Sequence, residues 1–149
     1  MVGNGIAKKT VSFRLNFVRK RKTLMAKSMS PKIKWLSEVE EHDYPAAASY
    51  LSILYPEKQV NDLVKRLRKA ALTEFKAKDI FRASGLSLLG ISNSHVDKDT
   101  KKIRKRKALS PLLLVRDARS GKVVIADGYH RLCAIYQFDE DAFIRCKIV

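Results

Sequence analysis

The sequence predicts an α+β fold, with helices first and a small mixed sheet in the last third of the chain. Two observations lead to this prediction. Apolar residues recur at helical spacing between residues 44 and 71, whereas residues 111–126 contain two apolar runs separated by a turn. The chain has 149 residues, 46% of them hydrophobic, which is enough for one ordinary globular core. We therefore expect a single folded domain.

The positive charge is concentrated at the N-terminus. The chain has 31 Lys and Arg against 15 Asp and Glu, a net charge of +16, which favours polyanionic partners. Residues 1–34 contain ten basic residues and no acidic residue. We expect a basic, disordered leader over residues 1–34 and one domain over 35–149. Three interpretations of this leader remain open. It is a mobile arm that binds nucleic acid, or it is a passive solvated tail. In the third interpretation about 28 residues do not belong to the natural protein, whose true start is then Met25 or Met29.

The composition argues against a membrane protein. No apolar stretch reaches the roughly 18 residues that cross a bilayer, and no clean apolar segment follows the basic start as it would in a secretory signal. We expect a cytoplasmic protein with no membrane partner.

Cys133 and Cys146 are too few for a disulfide framework, and their apolar surroundings predict buried, inert thiols.

The predicted helices follow one another from Tyr44. Pro45 occupies a first-turn position, where its missing N–H costs nothing. A second helix starts at Pro56, with one apolar and one basic face. A short third helix spans residues 78–83 and is stopped by Gly85.

A basic helix is predicted over residues 101–107, with Asp97 or Asp99 as its cap. Its side chains are candidates for nucleic-acid binding, because phosphate contacts of this kind do not read base sequence. They are Lys101, Lys102, Arg104, Lys105, Arg106 and Lys107.

The last third of the chain has the clearest pattern. Residues 111–115 and 123–126 are apolar runs around a turn at 117–121, which predicts a β-hairpin. Asp127-Gly128 then ends the strand, helical spacing follows to Tyr136, and residues 143–149 alternate like a final strand. The result is a strand-loop-helix unit closed by a strand.

The start of this last helix is a candidate phosphate site. The first amides of a helix have no partner within it, and the helix dipole places positive charge there. Gly128 permits a close approach of ligand, while His130 and Arg131 add side-chain donors and Tyr129 a wall of the pocket. His95 and Lys98, in the loop before the hairpin, are candidates to complete the phosphate pocket.

Asp127 and His130 are the candidate catalytic residues. An acid beside a phosphate site repels the ligand unless it has another role. Asp127 is therefore a Mg²⁺ ligand, a general base, or a cap of the following helix. His130 is a catalytic group or a packed helix residue. The residue types leave these alternatives open.

Residues 124–134, VIADGYHRLCA, resemble the strand-loop-helix signature of the ParB/sulfiredoxin-like superfamily. The match is close from about residue 111 to 149 and loose over about two thirds of the chain. It implies a stand-alone bacterial protein with that fold, since the helix-turn-helix and dimerisation domains of a partition protein do not follow. Residues 35–90 are more helical than the family's minimal core.

The resemblance also implies roles for the loop. In ParB-type partition proteins a Gly-Glu-Arg-Arg loop binds the triphosphate of CTP, and Gly128 and Arg131 match it. In sulfiredoxin the loop is Gly-Gly-Cys-His-Arg, and Gly128, His130 and Arg131 match it. Tyr129 stands in place of the catalytic cysteine, so the absence of this thiol argues against sulfinic-acid reduction. In the ParB-like free-serine kinases the loop aspartate is an acid/base, a role that Asp127 fits.

Three functions follow as hypotheses. The first is a nucleotide-binding or other phosphate-binding protein that uses Mg²⁺, such as a phosphotransferase or NTPase. The second is a nucleic-acid-binding protein without sequence preference, with nuclease activity as a variant. The third is an interaction module whose pocket has degenerated.

Overall fold

The computed structural model describes residues 31–90 and 92–149, and Lys32–Val149 form one compact unit. The predicted leader falls outside the described residues except for its last four positions, so it stays a prediction. Within the described part, none of the helices is long and apolar enough to cross a bilayer.

The described chain is a mixture of five helices and four strands, which confirms the α+β class. The predicted helices at Pro45, after Pro56 and before Gly85 are all present. In chain order the elements are α1 (Asp43–Leu54), α2 (Glu57–Lys69), β1 (Thr73–Lys76), α3 (Ala77–Ser84), α4 (Ser94–Arg104), β2 (Leu112–Asp117), β3 (Lys122–Asp127), α5 (Tyr129–Phe138) and β4 (Phe143–Ile148).

The four strands form one mixed sheet in the order β1-β4-β2-β3. The predicted hairpin is confirmed, since β2 and β3 pair antiparallel, and β4 is the predicted final strand. β4 runs parallel to β2 and antiparallel to β1. The sequence did not predict β1, a short and mostly exposed strand at one edge of the sheet.

The sheet is covered by helices on both faces. In β2, Leu112 and Leu114 belong to the core shared with α3, α4 and α5, whereas Leu113 and Val115 belong to the core shared with α1 and α2. Since all four side chains are at most 2% exposed, β2 is apolar without alternation, as expected of a strand buried on both faces. Burial of one such leucine contributes about 1.5–3 kcal/mol.

The two thiols are buried, as predicted. Cys133 and Cys146 are both free and lie in the core between the sheet and α3, α4 and α5. Burial raises the pKa of Cys146 to about 12 and also raises the pKa of Cys133. Both thiols therefore stay protonated at neutral pH, where a thiol is a poor nucleophile.

The predicted start of the basic helix is wrong. α4 begins at Ser94, and the side chain of Asn93 caps it by accepting hydrogen bonds from the amides of His95 (3.0 Å) and Val96 (3.3 Å). Neither Asp97 nor Asp99 is the cap. Asparagine is among the best caps, and the buried Val96 already packs in the core, so the helix starts earlier.

This shift changes the place of several candidate residues. His95 and Lys98 lie on α4, whereas the sequence predicted that they come from the loop before the hairpin. The helix ends at Arg104, so Lys105, Arg106 and Lys107 follow it.

Candidate functional site at the start of α5

The turn between β3 and α5 is built around Gly128. Its φ of 104° lies in the left-handed region, and a Cβ there would come within 2.5 Å of Leu112 Cγ. Glycine is therefore required both by backbone conformation and by packing. The helix expected from the sequence begins at Tyr129, directly after this residue.

The first turn of α5 has no side-chain cap. Gly128 occupies the capping position, so the interpretation of Asp127 as a helix cap is wrong. In the described part of the chain, the amides of Tyr129, His130 and Arg131 have no hydrogen-bond acceptor. Unsatisfied amides and the positive end of the helix dipole are the features that bind anions at a helix start.

Arg131 is held between two carboxylates. Its Nη2 lies 2.9 Å from Asp127 Oδ2 and 3.3 Å from Asp43 Oδ2. The Arg131 side chain is 16% exposed, and its Nε has no partner among the described residues. Ser110 completes the group by donating a hydrogen bond of 2.5 Å to Asp43 Oδ2. The candidate phosphate ligand Arg131 therefore neutralises acids in this structure.

Asp127 is a partly buried carboxylate. Burial raises the pKa of Asp127, and the adjacent guanidinium of Arg131 lowers it by less, so the net shift is upward. The charge of Asp43 acts in the same direction as burial. A carboxylate whose pKa is raised is more suited to accepting and returning a proton than an exposed one.

His130 packs against His95. The ring centroids are 4.9 Å apart, with 40° between the planes. Burial lowers the pKa of His130, and the neighbouring His95 lowers it further. Both residues lie in the first turns of their helices, α5 and α4. Two helix starts and two imidazoles therefore come together at one place, and the role of His95 in a phosphate pocket stays a prediction.

The Tyr129 side chain connects α5 to the segment before α4 through a hydrogen bond. Its hydroxyl donates a hydrogen bond to the carbonyl of Ser87, and farther along α5 the side chain of Gln137 donates to the carbonyl of Leu89 at 3.1 Å. The Tyr129 ring is half-buried against the core. Tyr129 therefore forms one wall beside the start of α5.

Lys98 lies on a basic groove along α4. The groove has a volume of about 390 Å³ and is lined on its basic side by Lys98, Lys101, Lys102, Lys105 and Lys107. Two of these lysines pair with acids of the same helix: Lys101 with Asp97 at 2.8 Å and Lys102 with Asp99 at 3.8 Å. Arg104 turns instead towards α5, over the ring of Phe138 at 5.9 Å, and Arg106 lies past the end of the helix.

A group suited to a metal ion lies at the start of α1. Within residues 31–90 and 92–149, Glu40, His42 and Asp43 are the one set of three ligand-type side chains whose ligand atoms all lie within 4.8 Å of one another. Asp127 is not a member of this group, and its role as a Mg²⁺ ligand stays a prediction. Glu40, His42 and Asp43 were not among the site residues predicted from the sequence.

No protein-family model matches the chain, and no significant match was found among curated proteins or solved structures. The resemblance to the ParB/sulfiredoxin-like superfamily therefore stays a prediction based on residues 124–134.

Proposed function

We propose that this protein binds the phosphate groups of a nucleotide where the first turns of α4 and α5 meet. The observation that carries the proposal is the contact between His95 and His130, with ring centroids 4.9 Å apart. Each ring belongs to a helix start, so the positive ends of two helix dipoles face the same region. An anion is the ligand class that such a region stabilises.

The donors for phosphate come from three sources. The first amides of α5 lack acceptors in the described chain. The imidazoles of His95 and His130 each offer a ring N–H as a donor. Lys98 lies one turn after His95 on α4. Together these groups supply short-range hydrogen bonds and a longer-range positive potential.

The acids beside this region define a possible chemistry. Asp127 would accept a proton from an attacking hydroxyl or water. If Mg²⁺ takes part, the carboxylates of Asp127 and Asp43 would hold it, and it would neutralise charge on the phosphates. On this proposal Arg131 holds Asp127 and Asp43 in place and contributes charge, and His130 stabilises the transferred phosphoryl group. The protein then acts as a phosphotransferase or NTPase, in line with the resemblance of residues 124–134.

Isothermal titration of the full chain with ATP, CTP and GTP tests the binding. In EDTA, which removes divalent ions, we expect at least one nucleotide to bind at millimolar concentration or below. His95→Gln and His130→Gln should each weaken this binding about tenfold, as expected for loss of a charge-assisted hydrogen bond. The matched control is His42→Gln, because the His42 imidazole belongs to the start of α1, where it contacts Glu40 and Asp43, and EDTA keeps metal from this group.

Two results would contradict the proposal. One is the absence of binding by all three nucleotides at millimolar concentration. The other is equal affinity in the wild type and in the His95→Gln, His130→Gln double variant. Addition of Mg²⁺ then separates binding from catalysis, because only a catalyst releases inorganic phosphate or ADP with time.

The basic groove along α4 supports a second candidate function. Five lysines line one open groove, and closely spaced ammonium groups favour the phosphates of a nucleic-acid backbone without reading base sequence. We propose this as the alternative to nucleotide binding. Its distinguishing property is a steep dependence of affinity on salt.

A further inference from the structure

The turn that leads into α1 brings one imidazole and two carboxylates together. His42 Nε2 lies 3.3 Å from Glu40 Oε2 and 3.3 Å from Asp43 Oδ1. All three ligand atoms are within 4.8 Å of one another. We propose that Glu40, His42 and Asp43 bind a divalent transition-metal ion. This inference does not depend on the proposed nucleotide binding.

Ser110 holds the two acidic residues in place. Its hydroxyl accepts a hydrogen bond from the Glu40 amide at 3.0 Å and donates one to Asp43 Oδ2 at 2.5 Å. The Asp43 amide also donates to the Glu40 carbonyl at 3.0 Å. Groups that hydrogen-bond metal ligands in this way fix ligand orientation and strengthen binding.

The two oxygens of Asp43 have different partners. Oδ2 is occupied by Ser110 and Arg131, whereas Oδ1 is directed to His42. The Asp43 side chain is 4% exposed, but those of Glu40 and His42 are 47% and 77% exposed. One ligand is therefore rigid and buried while the other two are open to solvent, which lets an ion enter and keep water in its remaining positions.

The local charge favours a cation. Asp43 and Asp127 share a single guanidinium, that of Arg131, and Glu40 adds a third carboxylate beside Asp43. Buried carboxylates are normally paired or bound to metal, so a divalent ion at Asp43 Oδ1 offsets negative charge that Arg131 leaves uncompensated.

The donor set indicates which ions fit. Mg²⁺ and Ca²⁺ take oxygen ligands, whereas imidazole suits Zn²⁺, Fe²⁺ and related ions, and carboxylates suit Mn²⁺. One imidazole with two carboxylates therefore favours Mn²⁺, Fe²⁺ or Zn²⁺ over Mg²⁺. The described part of the chain has no thiolate in this group, which disfavours Cu⁺.

The test is a metal titration of the full chain without nucleotide. Free Mn²⁺ is measured by electron paramagnetic resonance, and Zn²⁺ by competition with a chromogenic chelator. We expect one ion per chain. Glu40→Gln and His42→Gln should each weaken binding by about tenfold or more, the loss that removal of even an outer-shell partner causes. Glu41→Gln is the matched control, since Glu41 is exposed and pairs with Arg68 at 2.6 Å.

The variants separate this site from other ways of binding metal. Thermal melts establish that Glu40→Gln and His42→Gln fold, as expected for exposed side chains. The proposal is overturned if neither ion binds stoichiometrically, or if Glu41→Gln weakens binding as much as Glu40→Gln. It is also overturned if His42→Gln retains the ion while the His95→Gln, His130→Gln double variant loses it.

Discussion

Arg131 Nη2 lies 3.3 Å from Asp43 Oδ2, although the two residues are 88 positions apart in the sequence. The same nitrogen lies 2.9 Å from Asp127 Oδ2. One guanidinium therefore connects the start of α1, the end of β3 and the start of α5. Its position decides whether two largely buried carboxylates are neutralised.

Replacement of Arg131 by Met should strongly destabilise the fold. The methionine fills similar space but leaves Asp43 and Asp127 without a cation, and removal of one partner of a buried ion pair costs about 3–5 kcal/mol. The free energy of unfolding, from urea denaturation at pH 7, measures this loss. At pH 4 the loss should shrink, since burial raises the pKa of Asp127 and this carboxylate can take up a proton in the variant.

Arg66→Met is the control for this experiment. Arg66 is an exposed arginine whose Nη1 lies 3.8 Å from Asp62 Oδ2 within α2, and exposed pairs of this kind contribute at most about 1 kcal/mol. A similar small loss in Arg131→Met would show that the ion pairs of Arg131 do not stabilise the fold.

Gly128→Ala should destabilise the protein much more than Gly121→Ala. Both glycines have a positive φ, 104° and 66°, and alanine costs about 1–2 kcal/mol in such a conformation. A Cβ on Gly128 would also lie 2.5 Å from Leu112 Cγ, whereas nothing lies within 4 Å of one on Gly121. Overpacking adds about 1–3 kcal/mol. Equal urea midpoints for the two variants would contradict this argument.

The parts of the fold that the sequence predicts are those set by local chemistry. The β2–β3 hairpin has a polar turn between two apolar runs, and α5 begins directly after a glycine that must adopt a positive φ. β1 is different, because Phe75 and its neighbours are exposed and form a strand only through pairing with β4. That pairing depends on residues about 70 positions later, which a local pattern does not contain.

The same distinction applies to the candidate site. Gly128 and the helix start at Tyr129 are local features, so the sequence predicts them. The contact between His95 and His130 depends on how α4 packs against α5, and the partner of Arg131 at Asp43 comes from another layer of the fold. The acidic run Glu40-Glu41-His42-Asp43 immediately before a helix-opening Tyr-Pro was the available signal for the missing acid.

His130 should titrate below the ordinary histidine value of about 6.5. Burial lowers its pKa, and His95 lowers it further. As the pH falls through 6.5, the unfolded chain takes up the proton before the folded chain does, so His130 makes the fold less stable towards acid. An NMR titration of the His130 ring measures the pKa, and His95→Gln should raise it. A wild-type value at or above 6.5 would contradict the described packing.

The basic groove of α4 predicts a specific dependence of nucleic-acid binding on salt. Each phosphate contact contributes about 0.9 to the slope of log affinity against log salt for duplex DNA. Lys98 and Lys105 line the groove, so the Lys98→Gln, Lys105→Gln double variant should reduce the slope by about 1–2 units. Fluorescence anisotropy with a random-sequence duplex between about 50 and 200 mM salt measures it.

The control removes the same charge from another helix. Lys58 and Lys65 line a separate groove along α2, so the Lys58→Gln, Lys65→Gln double variant carries the same net charge as the α4 variant. The basic residues of positions 1–34 are present in all three proteins, and their contribution therefore cancels in the comparison. If both double variants reduce the slope equally, the affinity comes from overall charge and not from α4. If only the α4 variant does, the phosphates bind along the groove.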